Sequence, residues 1–160
     1  MEQTSKLSAD LGALLAKHGH MMTTAESCTG GGVATAITDI AGSSAWLDRA
    51  FVTYSNEAKM EMLGVQATTL ESYGAVSEPV VIEMVQGALK HSNATIGVSI
   101  SGIAGPSGGS QEKPVGTVCF AFADTQDWLQ VETMHFAGDR AEVREQAVIH
   151  ALTQLQQHLI

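Results

Sequence analysis

Apolar positions recur along the chain with two periods, and the switches between them mark its elements. Leu7, Leu11, Leu14 and Leu15 share one face of a helix over residues 3–18, which Gly19 stops. A short strand from Met21 to Ala25 then breaks into Glu26-Ser27-Cys28-Thr29 and three glycines, after which Val33, Ala34, Ile37 and Ile40 return at helical spacing. Residues 39–46 form a Gly/Ser turn closed by Trp46, expected to anchor on the core or on a neighbouring subunit. Residues 50–54 read as a second strand, and Ser55 caps a short helix that Gly64 ends. A helix over 67–73 comes next, and a longer one opens with Ser77 as N-cap and Pro79 in its first turn. Residues 94–101 are apolar enough for a central strand, 117–124 and 129–136 pattern as a hairpin, and 139–158 as a closing helix. That helix carries Arg140 and Arg144 four apart, on one face.

This order predicts an α/β protein: one domain over residues 1–160, a three-layer α/β/α sandwich with a mixed, mostly parallel sheet. Ser27, Tyr54 and Ser101 all fall at or just past strand ends, where parallel α/β sheets hold their ligands. The stretch from Gly102 to Gly116 is rich in glycine and proline, and a loop of that length in a compact domain is usually functional or disordered.

Composition narrows the function. A net charge of −9, with 8 basic residues against 17 acidic ones, leaves no basic patch for nucleic acid. It also means that an anionic substrate needs local donors against a repelling field. Cys28 and Cys119 fit neither a disulfide framework nor a metal spacing, and His18 and His20 read as surface residues rather than ligands. The N-terminus runs into an amphipathic helix rather than a signal segment, and no apolar run is long enough to span a membrane, so a cytoplasmic, soluble protein is expected.

The glycine-rich turn after Ser27 lets backbone approach a ligand, and the helix start behind it offers free N–H groups that can hold an anion or an oxyanion. It reads equally as an ordinary strand-to-helix turn with Thr29 as N-cap. Ser27 and Lys59 can form a hydrolytic pair without histidine or metal, with Tyr54 relaying or orienting the proton. The lysine must then be neutral near pH 7, whereas an ordinary lysine stays protonated to about 10.4. Lys59 is otherwise an exposed surface lysine. A thiolate nucleophile at Cys28 is a further alternative, against an inert, buried thiol.

Several blocks bear on that choice. Ala25-Glu-Ser-Cys-Thr-Gly-Gly31, Phe51-Val-Thr-Tyr-Ser-Asn-Glu-Ala-Lys59, Gly74-Ala-Val-Ser77, Ser101-Gly-Ile-Ala-Gly-Pro106, Lys113-Pro-Val-Gly-Thr117 and Phe136-Ala-Gly-Asp-Arg140 closely resemble the CinA C-terminal domain family, in the family's order. The resemblance is strongest to its stand-alone amidohydrolases. It implies hydrolysis of nicotinamide mononucleotide to nicotinate mononucleotide and ammonia, in pyridine nucleotide recycling, without metal or cofactor. It also implies a nucleotide substrate rather than nucleic acid or membrane as partner, and a homo-oligomer is expected. By this resemblance Ser27 is the nucleophile and Lys59 its base, with Tyr54 beside them. Thr29, Gly30 and Gly31 match the oxyanion loop, Ser101, Gly102, Gly105 and Pro106 a wall of the nucleotide pocket, and Arg140 a phosphate ligand. The alternative is a non-catalytic nucleotide-binding regulatory module. Gly32, where relatives commonly carry a bulkier residue, is expected to loosen the helix start.

Overall fold

A computed structural model describes residues 2–160. The chain runs α1 (Glu2–Lys17), β1 (Met22–Glu26), α2 (Gly32–Thr38), β2 (Leu47–Val52), α3 (Asn56–Leu63), α4 (Ala67–Tyr73), α5 (Glu78–Lys90), β3 (Ile96–Gly102), β4 (Thr117–Asp124), β5 (Leu129–His135) and α6 (Arg140–Leu159). The strands form one five-stranded sheet in the order β2-β1-β3-β4-β5. β1 pairs parallel to both β2 and β3, while β3–β4 and β4–β5 are antiparallel, so only β4 runs against the rest. This is the expected mixed, mostly parallel sheet.

Two cores make the three layers. On one face Leu11 and Leu15 of α1, Val33 and Ile37 of α2, and Val143, Ala147, Leu152 and Leu155 of α6 close over Ile96, Val98, Phe120 and Phe122. On the other, Val81, Met84, Val85 and Ala88 of α5, with Leu63 of α3, cover Ala25, Cys119, Ala121 and Ala123. Every residue of β1 is buried, and β3 is buried up to its last residue, as strands between two helical layers must be. Trp46 packs against the first core rather than standing free.

Four local expectations change. β2 spans Leu47–Val52, earlier than 50–54, because its pairing with β1 begins at Met22–Leu47. Ser77 precedes α5 but makes no side-chain cap; its hydroxyl instead donates to Gly74 O at 2.7 Å. His18 is exposed, as read, with Nε2 against Leu159 O, whereas His20 is half-buried against Thr95 Oγ1. Thr29 is not the N-cap of α2, which is Gly31, whereas the α3 signals behave as read: Ser55 Oγ accepts from Ala58 N at 3.0 Å, and Gly64 takes the left-handed conformation that ends the helix.

Candidate active site

Three parallel strand ends meet at one level. Glu26 pairs with Val52 on one side and Ile100 on the other, so Ser27, Thr53 and Ser101 come next together. The chain leaves β1 for α2 on one face and β2 for α3 on the opposite face, which opens a crevice at their carboxyl ends. The crevice is a cavity of about 340 Å³ lined by Ser27, Tyr54, Lys59, Ser101, Gly102, Gly105 and Arg140, together with Asn56, Val76 and Ser107.

Lys59 belongs to the first turn of α3 and is only 1% exposed. Its Nζ lies 3.2 Å from Ser27 Oγ, and donates to Thr53 O at 3.0 Å and Tyr54 O at 3.3 Å. No carboxylate pairs with it among the described residues. Burial therefore pulls its pKa below 10.5, since no counter-ion offsets desolvation of the ammonium. A thiolate at Cys28 would oppose that shift. Burial, however, pushes the Cys28 thiol up to about 11, so it is neutral at pH 7 and offers no charge. The same shift disfavours Cys28 as the nucleophile, because burial outweighs whatever the turn and Arg144 contribute.

The hydrogen-bond partners accommodate either protonation state of the amine. A neutral lysine has two N–H bonds and one lone pair. Two carbonyls can take those N–H bonds, which leaves the lone pair for the Ser27 hydroxyl; the protonated amine would instead donate to all three oxygens.

Glu26, which the sequence reading passed over, organises the turn behind Ser27. Its carboxylate is fully buried and accepts from Thr29 Oγ1 (2.6 Å), Thr24 Oγ1 (3.1 Å), Val33 N (2.9 Å) and Ala34 N (3.1 Å). It caps α2 from seven residues upstream and answers the doubt over Gly32: the helix start is held by a charge, and Gly32 itself leaves room for Val148 of α6. A signal existed, since Glu26 is the one charged residue between Met21 and Thr38.

The remaining candidates divide. Arg140 Nη1 donates to Gly105 O at 2.9 Å and Nη2 to Tyr54 OH at 3.2 Å, joining the two sides of the cavity mouth. Thr29 spends its hydroxyl on Glu26. Thr29, Gly30 and Gly31 lie outside the cavity lining, as does Pro106, which borders a neighbouring hollow on the far side of Arg140. Gly30 and Gly31 both have positive φ, +60° and +95°, which is why the turn needs glycine there.

The profile of the CinA C-terminal domain matches residues 4–159. The chain belongs to the CinA C-terminal domain family. The protein named nicotinamide-nucleotide amidohydrolase PncC of Escherichia coli (strain K12) is 59% identical over 155 residues, covering 97% of this chain and 94% of that protein. The PncC of Pseudomonas putida is 48% identical over 98% of each chain. The crystal structure of the competence/damage inducible protein CihA from Agrobacterium tumefaciens superposes with a TM-score of 0.95 at 44% identity, over 98% of this chain and 95% of that one. Among the described residues of this CinA C-terminal domain, no helix is long and apolar enough to cross a membrane.

Proposed function

We propose that this protein is a nicotinamide-nucleotide amidohydrolase, which releases ammonia from nicotinamide mononucleotide by serine–lysine acyl transfer. Neutral Lys59 takes the Ser27 proton as Ser27 Oγ attacks the carboxamide carbon. Backbone N–H groups of the turn after Ser27 stabilise the oxyanion. The lysine returns the proton to the departing nitrogen, ammonia leaves, and water hydrolyses the acyl-enzyme to nicotinate mononucleotide. Arg140, already at the cavity mouth, meets the phosphate, and its fork suits a bidentate contact. Tyr54 contributes by holding Arg140 through its hydroxyl and Lys59 through its carbonyl.

The observation that carries this reading is the buried Lys59 amine, 3.2 Å from Ser27 Oγ, with no carboxylate to hold it as an ammonium among the described residues. The test is ammonia release from nicotinamide mononucleotide by chelator-treated protein, with Ser27→Ala measured alongside. Release by the wild type alone is expected. Release by both would move the nucleophile elsewhere, and release by neither, with saturable nucleotide binding, would replace the enzyme by a binding module.

A further inference from the structure

Ser27 sits between two opposite charges that grip the same turn from different sides. Glu26 takes its donors: the Thr29 hydroxyl and the N–H groups of Val33 and Ala34. Arg144, one helical turn beyond Arg140 on α6, takes its acceptors. Its Nε donates to Cys28 O at 3.0 Å and its Nη2 to Thr29 O at 3.4 Å, from 116 residues away in sequence. Arg144 lies behind the turn, and its Nε and Nη2 are committed to these two carbonyls. Gly30 fits the arrangement, because a side chain there would stand 3.3 Å from Arg144 Nη2.

The consequence follows from peptide geometry. Carbonyl and N–H of a trans peptide point in opposite directions. Arg144 on the Cys28 carbonyl therefore fixes the direction of the Thr29 N–H, and Gly30 N on the Ser27 carbonyl at 3.0 Å does the same for the Cys28 N–H. A cation on a carbonyl oxygen also polarises that peptide and strengthens its N–H as a donor. These are the first two N–H groups after the nucleophile, the place where acyl-transfer enzymes stabilise the oxyanion.

We infer that Arg144 is a positioning residue for the acyl transfer: through the Cys28 carbonyl it holds and polarises the peptide whose N–H serves the oxyanion. The inference rests on the Ser27–Lys59 reading, and deepens it.

The test compares Arg144→Gln and Arg144→Lys with wild type in steady-state turnover of nicotinamide mononucleotide. Ser27→Ala serves as the control for the underlying reading, and hydrogen exchange is followed in the segment 26–33. Arg144→Gln is expected to lower kcat about 10- to 100-fold with KM changed less than about three-fold, since a misplaced oxyanion donor acts on the transition state alone. Arg144→Lys keeps the charge and is expected to recover part of that loss. Exchange in 26–33 is expected to speed up in Arg144→Gln, and the Lys59-dependent pH–rate inflection to stay in place. A raised KM with unchanged kcat would make Arg144 a substrate ligand and overturn the inference, as would wild-type kcat in both variants. Retained turnover in Ser27→Ala would instead strike the acyl-transfer reading. If the wild type proved inactive, unchanged exchange in Arg144→Gln would still overturn the clamp.

Discussion

The cavity has two glycine-rich walls, and they are built in opposite ways. The turn after β1 is short and held at many points: Ser27, Cys28 and Thr29 are at most 7% exposed, and both Glu26 and Arg144 bind it. The loop after β3 is long, and residues 106–112 are exposed throughout. Two cations tie it down, Arg140 on Gly105 O and Lys113 on Tyr73 O at 2.7 Å. In the proposed reaction the first wall carries the reacting groups, where preorganisation governs rate, and the second admits and releases the nucleotide. The contrast teaches that glycine serves two ends here, the left-handed turn behind Ser27 on one side and a yielding rim on the other.

Breaking the first wall's chemistry should have the largest effect. Lys59→Ala is expected to reduce kcat by about 10³-fold or more, measured as ammonia release, because it removes the base and leaves Ser27 unactivated. In the wild type the rate should rise with pH through one ionisation below 10.5, as the buried amine loses its proton. Arg140→Ala acts on the mouth. It should raise KM for nicotinamide mononucleotide about 10- to 100-fold by removing a charge-assisted contact, with a smaller change in kcat.

The next prediction concerns stability. The pKa of Lys59 is lower in the folded protein than the unfolded value of about 10.4, so between the two the unfolded chain binds more protons. Stability should therefore rise with pH across that window, and Lys59→Met should abolish this rise while matching or exceeding wild-type stability at pH 7. Denaturant titrations at a series of pH values read it directly; an unaltered pH slope in Lys59→Met would place the linkage elsewhere. The smallest effect is expected from Lys113→Ala, which frees one tie of the exposed loop. A change in KM of about two- to five-fold with kcat unaltered would match a surface contact of roughly 1 kcal/mol or less. A large loss of kcat would mean that both walls need equal rigidity.

Much of the fold was legible in the sequence, and for local reasons. The Leu7–Leu15 stripe, the Ser55 cap, the Gly64 stop and the apolar run at 96–100 each encode their element through propensity and period. The start of β2 was not legible, because pairing with β1, rather than composition, sets it. Spacing alone left Lys59 indistinguishable from a surface lysine, and only the resemblance to relatives favoured it. Glu26 stood as a lone charge in an uncharged stretch, yet its partners at Thr29, Val33 and Ala34 become visible only once the turn has closed on it.

By itself the sequence determined the element order, the layered α/β class, the family and the glycines at the two turns, since these depend on near neighbours and repeated patterns. The tertiary structure alone decided the lowered pKa of Lys59, the raised pKa of Cys28 and the joining of Arg140 and Arg144 to loops more than thirty and more than a hundred residues away. Desolvation and hydrogen-bond direction depend on what surrounds a group in space, and the order of residues along a chain does not record that.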